Sequence, residues 1–128
     1  MKIIVKSFWP AVVWLIISTV AFCIPGSALP KNDWFGQIHF DKFIHIGIFT
    51  VMVFLWCVPF LNRPLQKPFV KILAGVTIGF FCYGVLIEFV QHYFVLNRSF
   101  DLGDIGADAV GCLIGFFFSR RQWKLSEL

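Results

Sequence analysis

The sequence predicts an all-α membrane protein, a bundle of four transmembrane helices with both termini in the cytoplasm. Of the 128 residues, 59% are hydrophobic and only 14% are charged, whereas a soluble domain has roughly 45–50% apolar and 25% charged residues. Four apolar runs, each near the ~20 residues that a spanning helix needs, are bounded by basic residues. The placement of those basic residues indicates the orientation of the helices.

The helices are expected at about 8–24, 43–61, 72–94 and 104–119, within a single domain covering residues 1–128. The first run follows Lys2 and Lys6, as the apolar part of a secretory signal would. It is longer than that part usually is, so we expect the first helix to remain uncleaved. Pro25 and Pro30 end it, because proline cannot continue a helix. A short basic loop at 62–71 predicts that the second and third helices are antiparallel neighbours.

Two pairs of glycines, each spaced four residues apart, predict close helix packing. Gly75 and Gly79 lie in the third helix, and Gly111 and Gly115 in the fourth. Such small residues let membrane helices approach closely. The spacing also puts the fourth helix's acids on the glycine face, which consists of Asp104, Asp108, Gly111 and Gly115. That face is therefore expected to point at protein rather than at lipid.

The net charge of +4 is best explained by membrane topology. Three basic groups are expected on the cytoplasmic side: Lys2 and Lys6; Arg63, Lys67 and Lys71; Arg120, Arg121 and Lys124. Lys31, Lys42 and Arg98 are then outside, together with Asp33 and most other acids. No basic stretch is interleaved with aromatic residues in the manner of a nucleic-acid site, so no nucleic-acid partner is expected.

Polar residues of three helices are predicted to share one depth in the membrane. At about 1.5 Å per residue, Glu88, His45 and Asp104 lie about 25, 27 and 24 Å from the basic residue that bounds their helix on the cytoplasmic side. Asp108 is deeper, at about 18 Å. Ionisable groups in a membrane cost at least ~2.5–3.5 kcal/mol each at a helix centre, so they normally face one another or a water-filled cavity.

The spacing of neighbouring polar residues gives each of these helices a polar face. Asp41 and His45 are four residues apart, and Glu88 and Gln91 are three apart. Two interpretations stay open. One is a structural network in which Lys42 and Arg98 neutralise the carboxylates. The other is a pocket that opens toward the outer leaflet.

Three motifs resemble a known family: "DKFIHIGIF" at 41–49, "YGVLIEFVQ" at 83–91 and "RSFDLGDIGADAVGCLIG" at 98–115. In this order they are similar to those of VanZ-like membrane proteins. The resemblance implies a small bacterial multi-pass protein of the cell envelope, related to a factor in resistance to the glycopeptide teicoplanin, without an established reaction. Its characteristic polar positions fall on Asp41, Lys42, His45, Glu88, Gln91, Arg98, Asp101 and Asp104. Asp108 departs from the pattern, because members usually have Asn there.

The leading hypothesis is therefore a polar pocket that binds membrane lipids, a lipid-linked envelope precursor or a glycopeptide. Its reactive or ligating groups would be Glu88, Asp104 and His45, because a carboxyl group and an imidazole can act as general acid and base. Lys42 and Arg98 would hold an anionic headgroup. The remaining ligand-binding candidates are Asp41, Gln91, Asp101 and Asp108.

Metal use, any cofactor and catalysis itself stay open at this stage. A hard divalent cation shared by the carboxylates of Glu88, Asp101, Asp104 and Asp108 is one alternative, since such ions prefer oxygen ligands. A structural or interaction protein, whose polar cluster only joins helices, is another. An ion translocator is disfavoured, because the cytoplasmic halves of the second and third helices offer almost no polar relay.

Overall fold

The computed structural model describes residues 6–29, 39–61 and 68–128, and every regular element in these residues is helical. Four α-helices follow one another: α1 (Trp9–Phe22), α2 (Phe40–Cys57), α3 (Phe69–Phe94) and α4 (Leu102–Ser126). Short 3-10 turns follow α1 and α2, at Gly26–Ala28 and Val58–Phe60. The predicted all-α fold with four helices is confirmed. Lys2, Lys31, Asp33, Arg63 and Lys67 lie outside the described residues, and the orientation of the termini stays a prediction.

Three of the helices are long and apolar enough to cross a membrane, namely Phe40–Phe60, Phe69–Phe94 and Leu102–Ser126. The first helix is shorter than the expected span over 8–24. Its 14 residues extend over about 21 Å, compared with a hydrocarbon core of about 30 Å. α1 by itself is therefore shorter than the hydrocarbon core is thick.

Several helix ends differ from the sequence expectation. α2 covers Phe40–Cys57 rather than 43–61, and α4 begins at Leu102 rather than at 104. Two further ends differ for identifiable reasons. α4 was expected to end near Ser119 but continues to Ser126, because its basic residues favour the helix as well as the apolar ones do. α3 begins at Phe69 rather than Ile72, directly after Pro68. Proline is tolerated at a helix start, where its missing N–H would have no helical partner. Hydropathy marks the membrane edge, whereas helix propensity and proline decide where a helix begins and ends.

α4 packs closely against α2 through its glycine pair. A Cβ atom at Gly111 would lie 2.6 Å from the carbonyl oxygen of Ile46, and one at Gly115 would lie 2.8 Å from Cβ of Val53. The Thr50 hydroxyl donates to the carbonyl oxygen of Gly111 across the same interface (3.1 Å). The predicted role of Gly111 and Gly115 in helix packing is thus confirmed.

The other glycine pair has no such role within the described chain. A Cβ atom at Gly75 or Gly79 would meet no other atom within 4 Å among the described residues. Both glycines are exposed on α3. The prediction of close packing at this pair is wrong for contacts among the described residues, because the four-residue spacing puts both glycines on one helix face but does not say toward which neighbour that face points.

Gly111→Ala is expected to destabilise the protein, although alanine is the better helix former. The added methyl group must displace backbone of α2, which outweighs the roughly 1 kcal/mol that alanine gains over glycine in a helix. Gly75→Ala is the matched control and is expected to leave the protein unchanged or slightly more stable. Apparent melting temperatures in mild detergent compare the two. A Gly111→Ala variant as stable as Gly75→Ala would contradict the close contact.

The end of α1 is tied to the turn that joins α3 to α4. The N–H of Gly26 donates to the carbonyl oxygen of Leu96 (3.0 Å). Asn97 adopts a left-handed conformation (φ 58°), which Asn tolerates better than most residues. Gly26 passes so close to the Asn97 carbonyl group that a Cβ atom would collide with it. These contacts bring the end of α1 beside the polar ends of the other three helices.

Candidate functional site

Polar residues of α2, α3 and α4 meet at one end of the bundle. They come from the first two turns of α2, the last two turns of α3, and the start of α4 with its N-cap. We call this group the polar cluster, and it consists of Asp41, Lys42, His45, Glu88, Gln91, Asp101, Asp104 and Asp108. The structure thus brings together residues that are up to 67 positions apart in the sequence.

Lys42 lies among three carboxylates. Its Nζ is 2.7 Å from Oδ2 of Asp101, 3.0 Å from Oδ1 of Asp104 and 3.6 Å from Oδ2 of Asp41. Gly103 leaves room for this side chain, since a Cβ atom there would lie 2.7 Å from Cε of Lys42. The ammonium group is therefore engaged within the protein, and its expected contact with an anionic headgroup stays a prediction.

Asp101 connects Lys42 to the start of α4. Its Oδ1 accepts a hydrogen bond from the N–H of Gly103 (2.6 Å), which makes it the N-cap of the helix. The salt bridge to Lys42, together with this backbone hydrogen bond, lowers the pKa of the Asp101 carboxyl group below its ordinary value. Asp101 is therefore a charged residue that fixes both the helix start and the lysine.

His45 and Asp108 form a buried pair between α2 and α4. Nδ1 of His45 lies 2.7 Å from Oδ1 of Asp108, and both side chains are at most 5% exposed. Nε2 of His45 faces Oδ2 of Asp104 at 3.8 Å, which is too long for a hydrogen bond. Gly84 on α3 makes room for this pair, since a Cβ atom there would lie 2.6 Å from Oδ2 of Asp108. The polar cluster thus depends on a glycine whose function the sequence analysis missed.

Glu88 is the acid that α3 contributes to the polar cluster. Its side chain is fully buried, and Oε2 accepts a hydrogen bond from the N–H of Asp101 (3.1 Å). Oε1 has no hydrogen-bond partner among the described residues, and the same is true of Oδ2 of Asp108. Buried polar atoms are nearly always paired, so two such oxygens in one cluster need an explanation.

Two predicted ligand-binding residues donate hydrogen bonds to the end of α1 and to the segment directly after it. Nε2 of Gln91 donates to the carbonyl oxygen of Phe22 (3.0 Å), and Nε of Arg98 donates to that of Ile24 (3.4 Å). The last carbonyl groups of a helix have no partner within it, so α1 needs donors of this kind. A direct contact of Gln91 or Arg98 with a ligand stays a prediction.

Two sets of side chains in the described residues have a geometry that could hold a cation. His45, Glu88 and Asp104 each offer one ligand atom within 4.8 Å of the others, and all three are buried. Asp41, Asp101 and Asp104 form a second set with the same spacing. The four-carboxylate set that the sequence suggested is therefore divided, because Asp108 pairs with His45 and Asp101 with Lys42.

Comparison with known proteins gives one family. The family model described as VanZ/LLP1 matches residues 3–123, which include all the residues of the polar cluster. No curated protein and no solved structure matches the chain.

Proposed function

The chain belongs to the VanZ/LLP1 family and is a multi-pass membrane protein, and we propose that its polar cluster binds the headgroup of an amphiphile. The amphiphile is a membrane lipid or a lipid-linked component of the bacterial cell envelope, and the protein lies in the cytoplasmic membrane with both termini inside. Through this binding it affects susceptibility to a glycopeptide antibiotic, as the family resemblance implies.

The observation that carries the proposal is a gradient of exposure through the polar cluster. Asp41 and Asp101 have side chains that are 52% and 45% exposed, whereas Glu88 and Asp108 are fully buried. Polar groups therefore continue from the end of the bundle into its interior.

Apolar side chains border the exposed end of the polar cluster. Phe43 and Leu102 follow Lys42 and Asp101 directly in the sequence and are 64% and 73% exposed. In a membrane these two residues would contact lipid chains, while the acids beside them lie near the level of the headgroups. An amphiphile could therefore keep its chains on the apolar surface and direct its headgroup at the acids.

The charges of the polar cluster favour a headgroup that donates hydrogen bonds. Its five acids are Asp41, Glu88, Asp101, Asp104 and Asp108, and the cationic side chain among them, Lys42, is already paired. An ionised carboxylate accepts hydrogen bonds and cannot donate one. Hydroxyl or amine groups, such as those of a lipid-linked sugar, therefore fit better than a bare phosphate.

A purely structural polar cluster is the second candidate, and specific contacts favour it. The Lys42–Asp104 and His45–Asp108 pairs both join α2 to α4, and the Gln91–Phe22 hydrogen bond joins α3 to α1. On this alternative the family role would reside elsewhere on the chain. Glu88 separates the two candidates. Its Oε2 joins α3 to the N-cap of α4, whereas Oε1 has no hydrogen-bond partner among the described residues and joins no helices there.

Glu88→Gln tests the proposal. We expect the variant to reach normal membrane levels but to lose a lipid that co-purifies with the wild type in mild detergent, because the amide replaces an acceptor oxygen by a donor. Glu127→Gln makes the same chemical change at an exposed site near the C-terminus and serves as the control. Mass spectrometry of the extracted lipids compares the three proteins.

The same strains provide a second readout. Expression of the wild type and of Glu127→Gln should change the minimum inhibitory concentration of teicoplanin, and expression of Glu88→Gln should not. An identical lipid profile in all three proteins would count against a headgroup site. Loss of folded Glu88→Gln protein would instead support the structural candidate.

A further inference from the structure

Three buried side chains converge inside the polar cluster. His45, Glu88 and Asp104 are 4%, 0% and 7% exposed, and one ligand atom from each lies within 4.8 Å of the others. They come from three different helices. A nitrogen and two carboxylate oxygens thus approach one point from three directions.

Neighbouring residues hold the far side of two of these groups. Nδ1 of His45 is paired with Oδ1 of Asp108 (2.7 Å), and Oδ1 of Asp104 accepts from Lys42 (3.0 Å). The remaining atoms, Nε2 of His45 and Oδ2 of Asp104, face each other at 3.8 Å. With the Nδ1 proton directed at Asp108, Nε2 presents a lone pair. A histidine that binds a metal ion through one ring nitrogen usually donates the N–H of the other to a carboxylate, a backbone carbonyl or water.

Glu88 supplies the third ligand and an independent indication of a bound cation. Its Oε2 is held by the N–H of Asp101 (3.1 Å). Oε1 is buried without a hydrogen-bond partner among the described residues. Leaving a buried carboxylate oxygen unpaired is costly, and a cation beside it would remove that cost.

We propose that His45, Glu88 and Asp104 bind a divalent metal ion of the Mn²⁺ or Zn²⁺ type. Mixed imidazole and carboxylate ligands suit such ions, and two carboxylates balance the charge. Ligand atoms about 2.0–2.2 Å from an ion lie roughly 3–4 Å apart, so ligand atoms now separated by as much as 4.8 Å need to approach one another by up to about 1–2 Å. The inference goes beyond the proposed function, because the ion binds whether or not an amphiphile does.

The second set of acids does not compete for this assignment. Asp41, Asp101 and Asp104 have the spacing of a metal site, but Nζ of Lys42 lies within 3.6 Å of all three. The ammonium group therefore already provides the positive charge there. Asp41 is consequently a control position that resembles a ligand without being one.

Titration with Mn²⁺ tests the site on full-length protein purified in detergent without a polyhistidine tag. Mn²⁺ prefers carboxylate over thiolate ligands, so the four free cysteines do not interfere. The loss of the free Mn²⁺ signal in electron paramagnetic resonance should give about one bound ion per chain in the wild type. Glu88→Gln and Asp104→Asn should weaken binding by more than about tenfold, while Asp41→Asn and Glu127→Gln should bind as the wild type does.

Each outcome decides the assignment. Absence of Mn²⁺ and Zn²⁺ binding by the folded wild type would overturn it. Equal loss of binding in Asp41→Asn would move the ion to the outer acids and also overturn it. If Glu88→Gln does not elute as a folded, monodisperse species, Mn²⁺ binding by Asp104→Asn tests the site. A melting temperature that rises with Mn²⁺ in the wild type but not in Asp104→Asn supports the site.

Discussion

His45→Phe is expected to lower the free energy of unfolding by about 3–5 kcal/mol, the largest effect of any single change in the polar cluster. Oδ1 of Asp108 has His45 as its hydrogen-bond donor, and Oδ2 has no partner among the described residues. Removing the imidazole leaves a fully buried carboxyl group without a donor on either oxygen. Unfolding in mixed detergent and SDS, or the melting temperature in mild detergent, measures the loss.

A double-mutant cycle distinguishes this explanation from a simple packing defect. Asp108→Leu alone removes the partner of His45, whereas His45→Phe with Asp108→Leu replaces the pair by apolar groups. Because neither charge is then left alone, the double variant should be more stable than the sum of the two single losses predicts, by about 1–3 kcal/mol. Asp108→Asn is the mild control, since its amide oxygen can still accept from Nδ1. Strict additivity would contradict a coupled pair.

The fold was predictable because long apolar runs have few alternatives. A stretch near 20 residues without charge forms a helix in a membrane, where every backbone group must be paired within the segment. The same reasoning fails at helix ends. α4 continues through Arg120 and Arg121 to Ser126, since leaving the membrane does not break a helix. α1 ends at Phe22, two residues before its apolar run does, because a residue that precedes a proline disfavours the helical conformation.

The residues of the polar cluster were predictable, but their pairing was not. Counting residues along each helix places His45, Glu88 and Asp104 at one depth, and the structure does bring these three together. Depth says nothing about how each helix is rotated. It could therefore not tell that Asp108 pairs with His45 while Asp104 pairs with Lys42. Those choices depend on the α2–α4 contact at Gly111.

The sequence did contain a signal for the contacts made by Gln91 and Arg98. The last carbonyl groups of a helix have no partner within it, and Phe22 is the last residue of α1, while Ile24 lies two residues beyond it and directly before Pro25. Donors from another helix are then required. The sequence analysis did not use this requirement when it predicted that Gln91 and Arg98 contact a ligand, because it assigned all polar residues at one level to one purpose.

Lys42→Met is expected to cost about 2 kcal/mol at neutral pH, which is less than the loss of His45 because this group is partly exposed. The variant leaves Asp101 and Asp104 without the ammonium group that lies between them. Lys71→Met, an equal change at an exposed lysine of α3, is the control and should have little effect. Melting temperatures of the three proteins in one detergent give the comparison.

The pH dependence of this loss follows from Asp101. Lys42 lowers the pKa of Asp101 in the folded protein, so the contribution of the pair is complete above the ordinary aspartate pKa of about 3.9. It is lost as the pH falls through the lower folded value, where Asp101 takes up a proton. The difference between wild type and Lys42→Met should therefore be constant from pH 7 to about 5 and shrink below about 3.9. A difference that stays constant down to pH 3 would mean that Lys42 acts through packing and not through its charge.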